Sequence, residues 1–268
     1  MPSSVALYNH LVLPEDQRDR ISVVLVSPRN PLNIGAAARA MANFGFSRLA
    51  VVAPYAPHWR EARSAVGAPE LLADAVETET LAEAAAACTL VVGTGTLTWR
   101  KPEQKVVRLP DLGPLVRREL EIGGRVGVVF GPEKHGLTRD DLSFCHLLVE
   151  IPTHARQPSM NLAQAVAVCL YELATRVGLP DIEKEGQSAE KNEHSSPATP
   201  SGNLDLLAGV VEETMIAAGY SPASMREPNR HDLRLLLRRL GPGGQDTRRI
   251  LGLFRRILWR LKRVSKMD

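Results

Sequence analysis

The chain has 268 residues, more than one average domain, so we expect one large domain with a smaller appendage. Hydrophobic residues make up 44% of the chain, which is ample for a buried core, yet no apolar run approaches the roughly 18 residues of a membrane span. Residues 1–20 lack the layout of a signal peptide and the three cysteines form no CxxC pair, so we expect a cytoplasmic protein with reduced, buried thiols.

The net charge of +3 is unevenly distributed along the chain. Residues 226–268 contain 13 Lys and Arg against 4 Asp and Glu, a net charge of +9, whereas residues 1–225 carry a net charge of −6. A basic carboxy-terminal segment on a mildly acidic body predicts that this segment contacts a polyanion.

Short, continuously apolar runs rich in β-branched residues alternate with helical patterns in the first part of the chain. Such runs are typical of strands buried on both faces of a parallel sheet. The predicted strands are residues 21–27, 49–53, 89–94, 127–131 and 147–151, and the helices between them include Asn33–Gly45 and Leu81–Ala87. This alternation predicts an α/β fold with helices on both faces of the sheet.

A longer helix is predicted over residues 161–178. Its apolar residues occupy most of the circumference, and Gly178 and Pro180 end it. Such a helix is buried on more than one side, either between the sheet and a second subunit or as the central helix of a monomer. We favour the first arrangement, a homodimer.

Beyond this helix, the composition predicts a linker and a small all-α domain. Residues 181–203 are polar and rich in Pro and Ser, so we expect a flexible linker after a body of residues 1–180. Residues 204–268 contain three helical patterns, at 204–219, 230–240 and 246–266. In the last of these, a stripe of apolar residues runs between arginines, at Ile250, Phe254, Ile257, Leu261 and Val264.

Three segments place glycine or small polar residues directly after a predicted strand, at the edge where open α/β sheets bind ligands. In the first, we expect Asn33 to cap a helix that carries Arg39 among small residues. An arginine there needs an anionic partner, either a ligand or a carboxylate of the chain. The segment has one glycine, Gly35, where a dinucleotide-binding fold has G-x-G-x-x-G, which argues against a nicotinamide-dependent oxidoreductase.

The second and third segments follow the last two predicted strands. Gly131, Glu133 and Gly136 form a turn whose backbone can approach a ligand, although the pattern also fits an ordinary loop. Ser159 and Asn161 precede the long helix. They can cap it, and the free N–H groups at the helix start can equally bind a carboxylate or a polarised oxygen.

Together these segments read N-x-G-x-x-x-R, G-x-E-x-x-G-L and P-S-x-N-L, and the sequence resembles the SpoU/TrmH family of SPOUT RNA methyltransferases over residues 20–178. The resemblance implies a deep trefoil knot in the parallel-sheet domain, a homodimer through its helices, and S-adenosyl-L-methionine as methyl donor without a metal. The implied reaction is methylation of a ribose 2′-hydroxyl in RNA. A non-catalytic RNA-binding module of the same fold is the alternative from another class.

The resemblance also implies which residues form the site. The catalytic residues would be Arg39, Glu133, Ser159 and Asn161. The cofactor would contact Thr94, Gly95, Thr96, Gly131, Ile151, Pro158, Ser159 and Met160. Because the pKa of an arginine lies above about 12, we expect Arg39 to hold a phosphate and stabilise negative charge on the reacting oxygen, and not to act as a base.

The basic tail resembles the carboxy-terminal extension of the TrmJ subgroup, which methylates cytidine or uridine 32 in the tRNA anticodon loop. The expected partner is tRNA, with ribosomal RNA or another tRNA position as the alternative. RNA contacts are expected from Arg39, Arg100, Lys101, Arg248, Arg249, Arg255 and Arg256. A basic amphipathic helix can instead lie on an anionic membrane, serve as a partner's target helix or form the seam of a helical bundle.

Overall fold

A computed structural model describes residues 12–95, 102–176 and 198–264 of the chain. Three of the predicted contact residues, Thr96, Arg100 and Lys101, lie outside these ranges. Residues 181–197 of the predicted linker also lie outside them.

The body is built on a seven-stranded sheet in which every neighbouring pair of strands is parallel. In chain order the strands are β1 (Ile21–Val26), β2 (Arg48–Val52), β3 (Val76–Thr78), β4 (Leu90–Thr94), β5 (Lys105–Arg108), β6 (Val126–Phe130) and β7 (Leu147–Glu150). Their order across the sheet is β3-β2-β1-β6-β4-β7-β5. The predicted α/β fold with a parallel sheet is confirmed. The two outermost strands were not predicted, because both are short and expose charged residues.

Helices cover both faces of this sheet. They are α1 (Glu15–Arg18), α2 (Pro31–Asn43), α3 (Pro69–Ala73), α4 (Leu81–Ala85), α5 (Leu112–Glu121), α6 (Arg139–Ser143) and α7 (Leu162–Arg176). The larger core lies between one face and α2, α5 and α7, and a second core lies under α4 and α6 on the other face. The apolar side chains of the central strands point alternately into these two cores, so those strands are apolar along their whole length.

Helix α2 begins two residues earlier than predicted, at Pro31. Its N-cap is Asn30, whose side chain accepts a hydrogen bond from the Leu32 N–H at 2.9 Å. Pro31 occupies the first helical position, where its missing N–H is not needed. The assignment of the cap to Asn33 was therefore wrong, and the Asn33 side chain is left available for contacts elsewhere.

Helix α7 packs against α2 and the sheet along its inner side. In the single chain its other side is open, because Val168 is 37% and Tyr171 is 52% exposed. The burial on more than one side that its composition predicts is thus incomplete within one chain.

Three further helices follow, α8 (Ser201–Ala217), α9 (Arg226–Leu240) and α10 (Gly244–Val264). They share a small core formed by Leu207, Val211 and Leu237, against which Ile250 and Phe254 pack. The predicted apolar stripe on α10 needs one correction. Ile257 is 39% exposed, whereas Leu258, one residue later, is 9% exposed and forms part of the buried side.

The start of α8 is docked on the body. The Ser201 hydroxyl and N–H both donate to the Cys88 carbonyl, and the Gly202 N–H donates to the Ala86 carbonyl at the end of α4. Thr199 and Ser201 are buried. Residues 198–203 therefore differ from the flexible linker that was predicted to extend to residue 203.

Candidate active site

A cleft of about 260 Å³ opens at the carboxyl ends of three neighbouring strands, β6, β4 and β7. Each of the three strands leads into a loop that forms one wall. Every described residue of the expected cofactor set lines the cleft, namely Thr94, Gly95, Gly131, Ile151, Pro158, Ser159 and Met160. The lining also includes the apolar Leu137, Leu142 and Leu162 and the polar or charged Glu133, Lys134 and His135. The parallel sheet thus gathers loops that are far apart in the sequence at one edge.

The turn after β6 is folded so tightly that glycine is required. A Cβ atom at Gly131 would lie 2.2 Å from the backbone nitrogen of Leu137. Gly136 has a φ of +64°, in the left-handed region that favours glycine, and its N–H donates to the Pro132 carbonyl at 2.8 Å. The glycines therefore allow the turn to fold back on itself beside the cleft, which its residues 131–137 line.

Glu133 ties this turn to the loop after β1. Its carboxylate accepts hydrogen bonds from the N–H groups of Arg29 at 3.1 Å and Asn30 at 3.3 Å, and from Asn33 Nδ2 at 2.8 Å. Partial burial alone would raise the pKa of Glu133, but these hydrogen bonds outweigh it and hold the pKa below its usual value. The carboxylate is therefore ionised at neutral pH, and its oxygens are occupied.

Asn33 connects Glu133 to the third segment. Its Oδ1 accepts a hydrogen bond from Asn161 Nδ2 at 3.0 Å. Asn161 Oδ1 in turn accepts from the N–H groups of Ala163 at 3.0 Å and Gln164 at 3.4 Å, so it caps α7 as one of its two predicted roles. A chain of hydrogen bonds, Glu133–Asn33–Asn161, therefore links all three segments. The bridging role of Asn33 was missed, since its sequence position indicated only a cap.

The loop from Ile151 to Met160 forms the remaining wall of the cleft. It is closed by a hydrogen bond from the Thr153 hydroxyl to the Pro158 carbonyl at 3.1 Å. Ser159 is exposed, and its hydroxyl has no hydrogen-bond partner among the described residues. On the opposite wall the Thr94 hydroxyl donates to the Val129 carbonyl at 2.9 Å, so it holds β4 to β6. Ser159 is thus the freer of these two hydroxyls to meet a ligand.

Residues 20–171 match the SpoU rRNA methylase family. The chain belongs to this family. It is 34% identical over 253 residues to the tRNA (cytidine/uridine/adenosine-2′-O-)-methyltransferase TrmJ of Pseudomonas aeruginosa, covering 92% of this chain and 96% of that protein. The corresponding TrmJ of Salmonella typhimurium is 31% identical over 251 residues, 92% of this chain and 98% of that protein.

A solved structure is similar over nearly the same length. The crystal structure of TrmJ from Z. mobilis superposes with a TM-score of 0.74 at 30% sequence identity, covering 88% of this chain and 98% of that chain. The predicted membership of the SpoU family is confirmed by these findings.

In this SpoU methylase, Arg39 does not line the cleft of its own chain. It lies six residues beyond Asn33 on α2, about 9 Å along the helix axis. Its side chain is exposed and makes no hydrogen bond or ion pair with any described residue. Helix α2 buries its opposite side and leaves Arg39 exposed, so the carboxylate partner that was one predicted alternative is absent among the described residues.

The cysteine thiols lie away from this chemistry. All three, Cys88, Cys145 and Cys169, are free and buried, as expected. Burial raises the pKa of Cys88 to about 11 and of Cys145 and Cys169 to about 12, so none is a thiolate nucleophile at neutral pH. Within the described ranges, no three His, Cys, Asp or Glu residues are grouped so that they could hold a metal ion.

The expected RNA-contacting arginines of the tail lie on α10. Arg248, Arg255 and Arg256 are exposed and have no hydrogen-bond or ion-pair partner in the part of the chain that the structure describes. Arg249 lies 3.7 Å from Asp246 at the surface. Among the described helices, none combines the length and the apolar character needed to cross a membrane.

Proposed function

We propose that the protein is an S-adenosylmethionine-dependent methyltransferase that modifies ribose 2′-hydroxyls of tRNA. The observation that carries this proposal is the chain of hydrogen bonds Glu133–Asn33–Asn161. It joins the three motif segments at the carboxyl edge of the sheet, where the second and third of them line the cleft. The TrmJ relatives, which align with more than nine-tenths of the chain, support tRNA as the substrate.

The residues of the cleft fit this cofactor. Leu137, Leu142 and Ile151 offer an apolar surface for a flat base, and the glycine-rich turn offers backbone groups for its polar edges. Gly95, Gly131 and Met160 would hold the cofactor together with this surface. When bound, S-adenosylmethionine supplies a methyl group that is already activated on a sulfonium.

The side chains around the cleft would have two further roles, to position the loops and the substrate and to stabilise negative charge in the reaction. Glu133 and Asn161 are occupied by hydrogen bonds within the chain, so we assign them to holding the loops in place. The free Ser159 hydroxyl would contact the substrate. The Arg39 guanidinium would bind a phosphate and stabilise negative charge that develops on the 2′-oxygen.

Arg39 does not line the cleft of its own chain, and a second copy of the chain would bring another cleft to it. Helices α2 and α7 pack on each other and expose Leu32, Val168 and Tyr171. We therefore propose a homodimer through the α2–α7 surface, with Arg39 of one copy near the cleft of the other. Light scattering on the protein with and without Val168→Asp and Tyr171→Asp tests this, because the dimer predicts half the mass for the double variant.

Two finer expectations follow from family membership and the tail. We propose that the sheet domain contains a deep trefoil knot, and that the methylated nucleotide is cytidine or uridine 32 in the anticodon loop. Exposed Arg248, Arg255 and Arg256 on α10 support a tail that binds the RNA backbone.

Methyl transfer from labelled cofactor tests the function. Purified protein is incubated separately with tRNA transcripts and with ribosomal RNA, and the labelled nucleotide is mapped. The proposal expects label in tRNA, and none in a transcript whose nucleotide 32 carries a 2′-deoxyribose. Label confined to ribosomal RNA would refute the substrate. Cofactor binding without transfer to any RNA would favour the non-catalytic module.

Arg39→Ala tests the chemistry more sharply. The side chain has no hydrogen-bond or ion-pair partner among the described residues, so the variant should fold, dimerise and bind cofactor normally. Turnover should fall by at least about 100-fold, the usual loss when a group that stabilises an oxyanion is removed. Arg118→Ala is the matched control, since Arg118 is an exposed helical arginine at the end of α5, near the amino edge of the sheet. Near-normal turnover in Arg39→Ala would remove Arg39 from the mechanism.

A further inference from the structure

Helix α9 of the tail packs on α6, the helix that follows the turn of residues 131–136. Arg234 Nη1 lies 2.8 Å from Asp140 Oδ1 on α6, and the Arg234 guanidinium stacks over the Phe144 ring at 4.1 Å. Arg238 approaches the same ring at 5.4 Å. These contacts hold α9 at a fixed place beside the turn of residues 131–139.

Between this turn and α9 lies a second cavity of about 500 Å³. From the body its lining includes the exposed Glu103 as well as Gln104, Leu137 and Arg139, and from α9 it includes His231 and Leu235. It is therefore formed jointly by the methylase body and the tail.

This second cavity adjoins the cofactor cleft directly. The two share the segment from His135 to Leu137 and the side chain of Leu142 as a common wall. A polymer whose reacting ribose lies at the cleft can therefore place a nearby nucleotide in the second cavity.

The chemistry of the cavity suits a nucleotide. Leu137, Leu142 and Leu235 form the apolar floor of the cavity, although each is at most 9% exposed, and the Arg139 side chain lies exposed beside them. Arg139 Nε donates to His231 Nε2 at 3.2 Å, and its remaining N–H groups have no partner among the described residues. Gln104 donates through Nε2 to the Leu142 carbonyl, which leaves its Oε1 as an acceptor. An apolar surface, a planar cation and an amide oxygen are the groups that bind a base, a phosphate and a base edge, respectively.

We propose that this cavity is a subsite for a tRNA nucleotide that neighbours the methylated one, with its base against the leucines and its phosphate on Arg139 and His231. The proposal rests on the proposed function, because it takes tRNA as the substrate. It gives α9 a role distinct from that of α10: α9 would hold one nucleotide next to the reaction, whereas α10 would contact the RNA backbone further away.

The test measures tRNA affinity in the full-length protein, apart from turnover. Arg139→Ala and His231→Ala should each raise the Kd for tRNA, Arg139→Ala by about tenfold, and Arg139→Ala should reduce the slope of log Kd against log salt by about one. The Kd for S-adenosylmethionine and the melting temperature should stay unchanged, and Arg139→Lys should restore the salt slope. Arg118→Ala again serves as the control for loss of a surface charge.

The outcomes separate the subsite from the function. Wild-type tRNA affinity in both Arg139→Ala and His231→Ala would overturn the subsite, as would an equal loss in Arg118→Ala. A wild-type protein that binds tRNA without transferring a methyl group would overturn the proposed function, while the affinities of the variants would still decide the subsite. A wild-type protein that binds no tRNA would overturn both.

Discussion

Helices α9 and α10 follow one another in the chain and are both rich in arginine, yet they use it in different ways. On α9, each of three arginines pairs with a carboxylate: Arg230 with Glu212, Arg234 with Asp140 and Arg238 with Asp205. On α10, Arg248, Arg255 and Arg256 have no such partner among the described residues. The basic composition of the tail is therefore not a direct measure of its surface available for RNA.

The position of each helix explains the difference. Helix α9 packs on both α8 and α6, so its arginines meet carboxylates of the tail and of the body. Helix α10 packs on α8 along one side and turns its other side to solvent. Charge neutralised within the protein stabilises the tail on the body, whereas charge left exposed is free for a polyanion.

Arg238→Ala should have the largest effect on stability. The Arg238 side chain is 2% exposed and lies 2.8 Å from Asp205, so its removal leaves a largely buried carboxylate without its partner. We expect the free energy of unfolding in urea to fall by about 3–5 kcal/mol. The neighbouring Arg239→Ala, at an exposed position, is the control and should change it little.

A double replacement sharpens this prediction. Arg238 Nε and Nη1 and Asp205 Oδ2 have no hydrogen-bond partner among the described residues, so the pair is incompletely satisfied. Replacing both residues together, as Arg238→Met with Asp205→Leu, should cost less than Arg238→Ala alone. A double variant that is less stable than the single one would contradict this account of the buried pair.

The folded protein should also lose stability in acid through His146, a residue of the body that lies near Arg238 of α9. Burial of the imidazole, and then the nearby charge of Arg238, lower the pKa of His146 from 6.5 to about 3. Below pH 6.5 the unfolded chain therefore binds a proton that the folded chain does not. The free energy of unfolding is therefore highest above pH 6.5 and decreases as the pH falls from 6.5 towards 3.

This loss amounts to about 2 kcal/mol between pH 7 and pH 5. Urea unfolding at both pH values should show it for the wild type. The pH dependence should be weaker by that amount in His146→Gln, which has no proton to gain. Equal pH dependence in the two proteins would contradict the lowered pKa. The exposed arginines of α10 predict no comparable effect.

Arg255→Ala with Arg256→Ala should weaken tRNA binding without affecting stability. Both side chains are exposed, so the melting temperature and the Kd for S-adenosylmethionine should stay at wild-type values. We expect the Kd for tRNA to rise about tenfold and the salt slope to fall by about two. The control on α9 is Arg230→Ala, which removes an arginine that is already paired with Glu212. If that control lost as much affinity as the α10 double variant, the distinction between the two helices would fail.

The sequence was informative where one chemical requirement governs a whole segment. Strands β1, β2, β4, β6 and β7 were predicted because burial on both faces requires continuous apolar runs. Strands β3 and β5 lie at the sheet edges, where Glu77, Lys105 and Arg108 are tolerated, so no such run marks them. The amphipathic α5 was not predicted either.

The site shows the same division. The sequence was sufficient to predict that its loops lie close together, because the carboxyl ends of parallel strands meet at one edge. The hydrogen bonds between these loops could not be predicted. Asn33 contacts residues 100 and 128 positions away in the sequence, and periodicity carries no information about such pairs. The pairing of Arg238 with Asp205 was hidden for the same reason, so the arginines of α9 and α10 looked equivalent in the sequence.

The smallest predicted effect, that of Arg230→Ala, tests whether pairing or burial decides the behaviour of α9. Arg230 makes a bidentate pair with Glu212, with Nη2 2.7 Å from Oε1, and this hydrogen bonding raises the pKa of Arg230. The Arg230 side chain is nevertheless 50% exposed, so water screens the pair and can fill the space that its removal opens beside Glu212, whose side chain is 13% exposed in the pair. We expect a loss of about 1 kcal/mol or less in urea unfolding. A loss as large as that of Arg238→Ala would mean that pairing itself, and not exclusion from water, stabilises the tail.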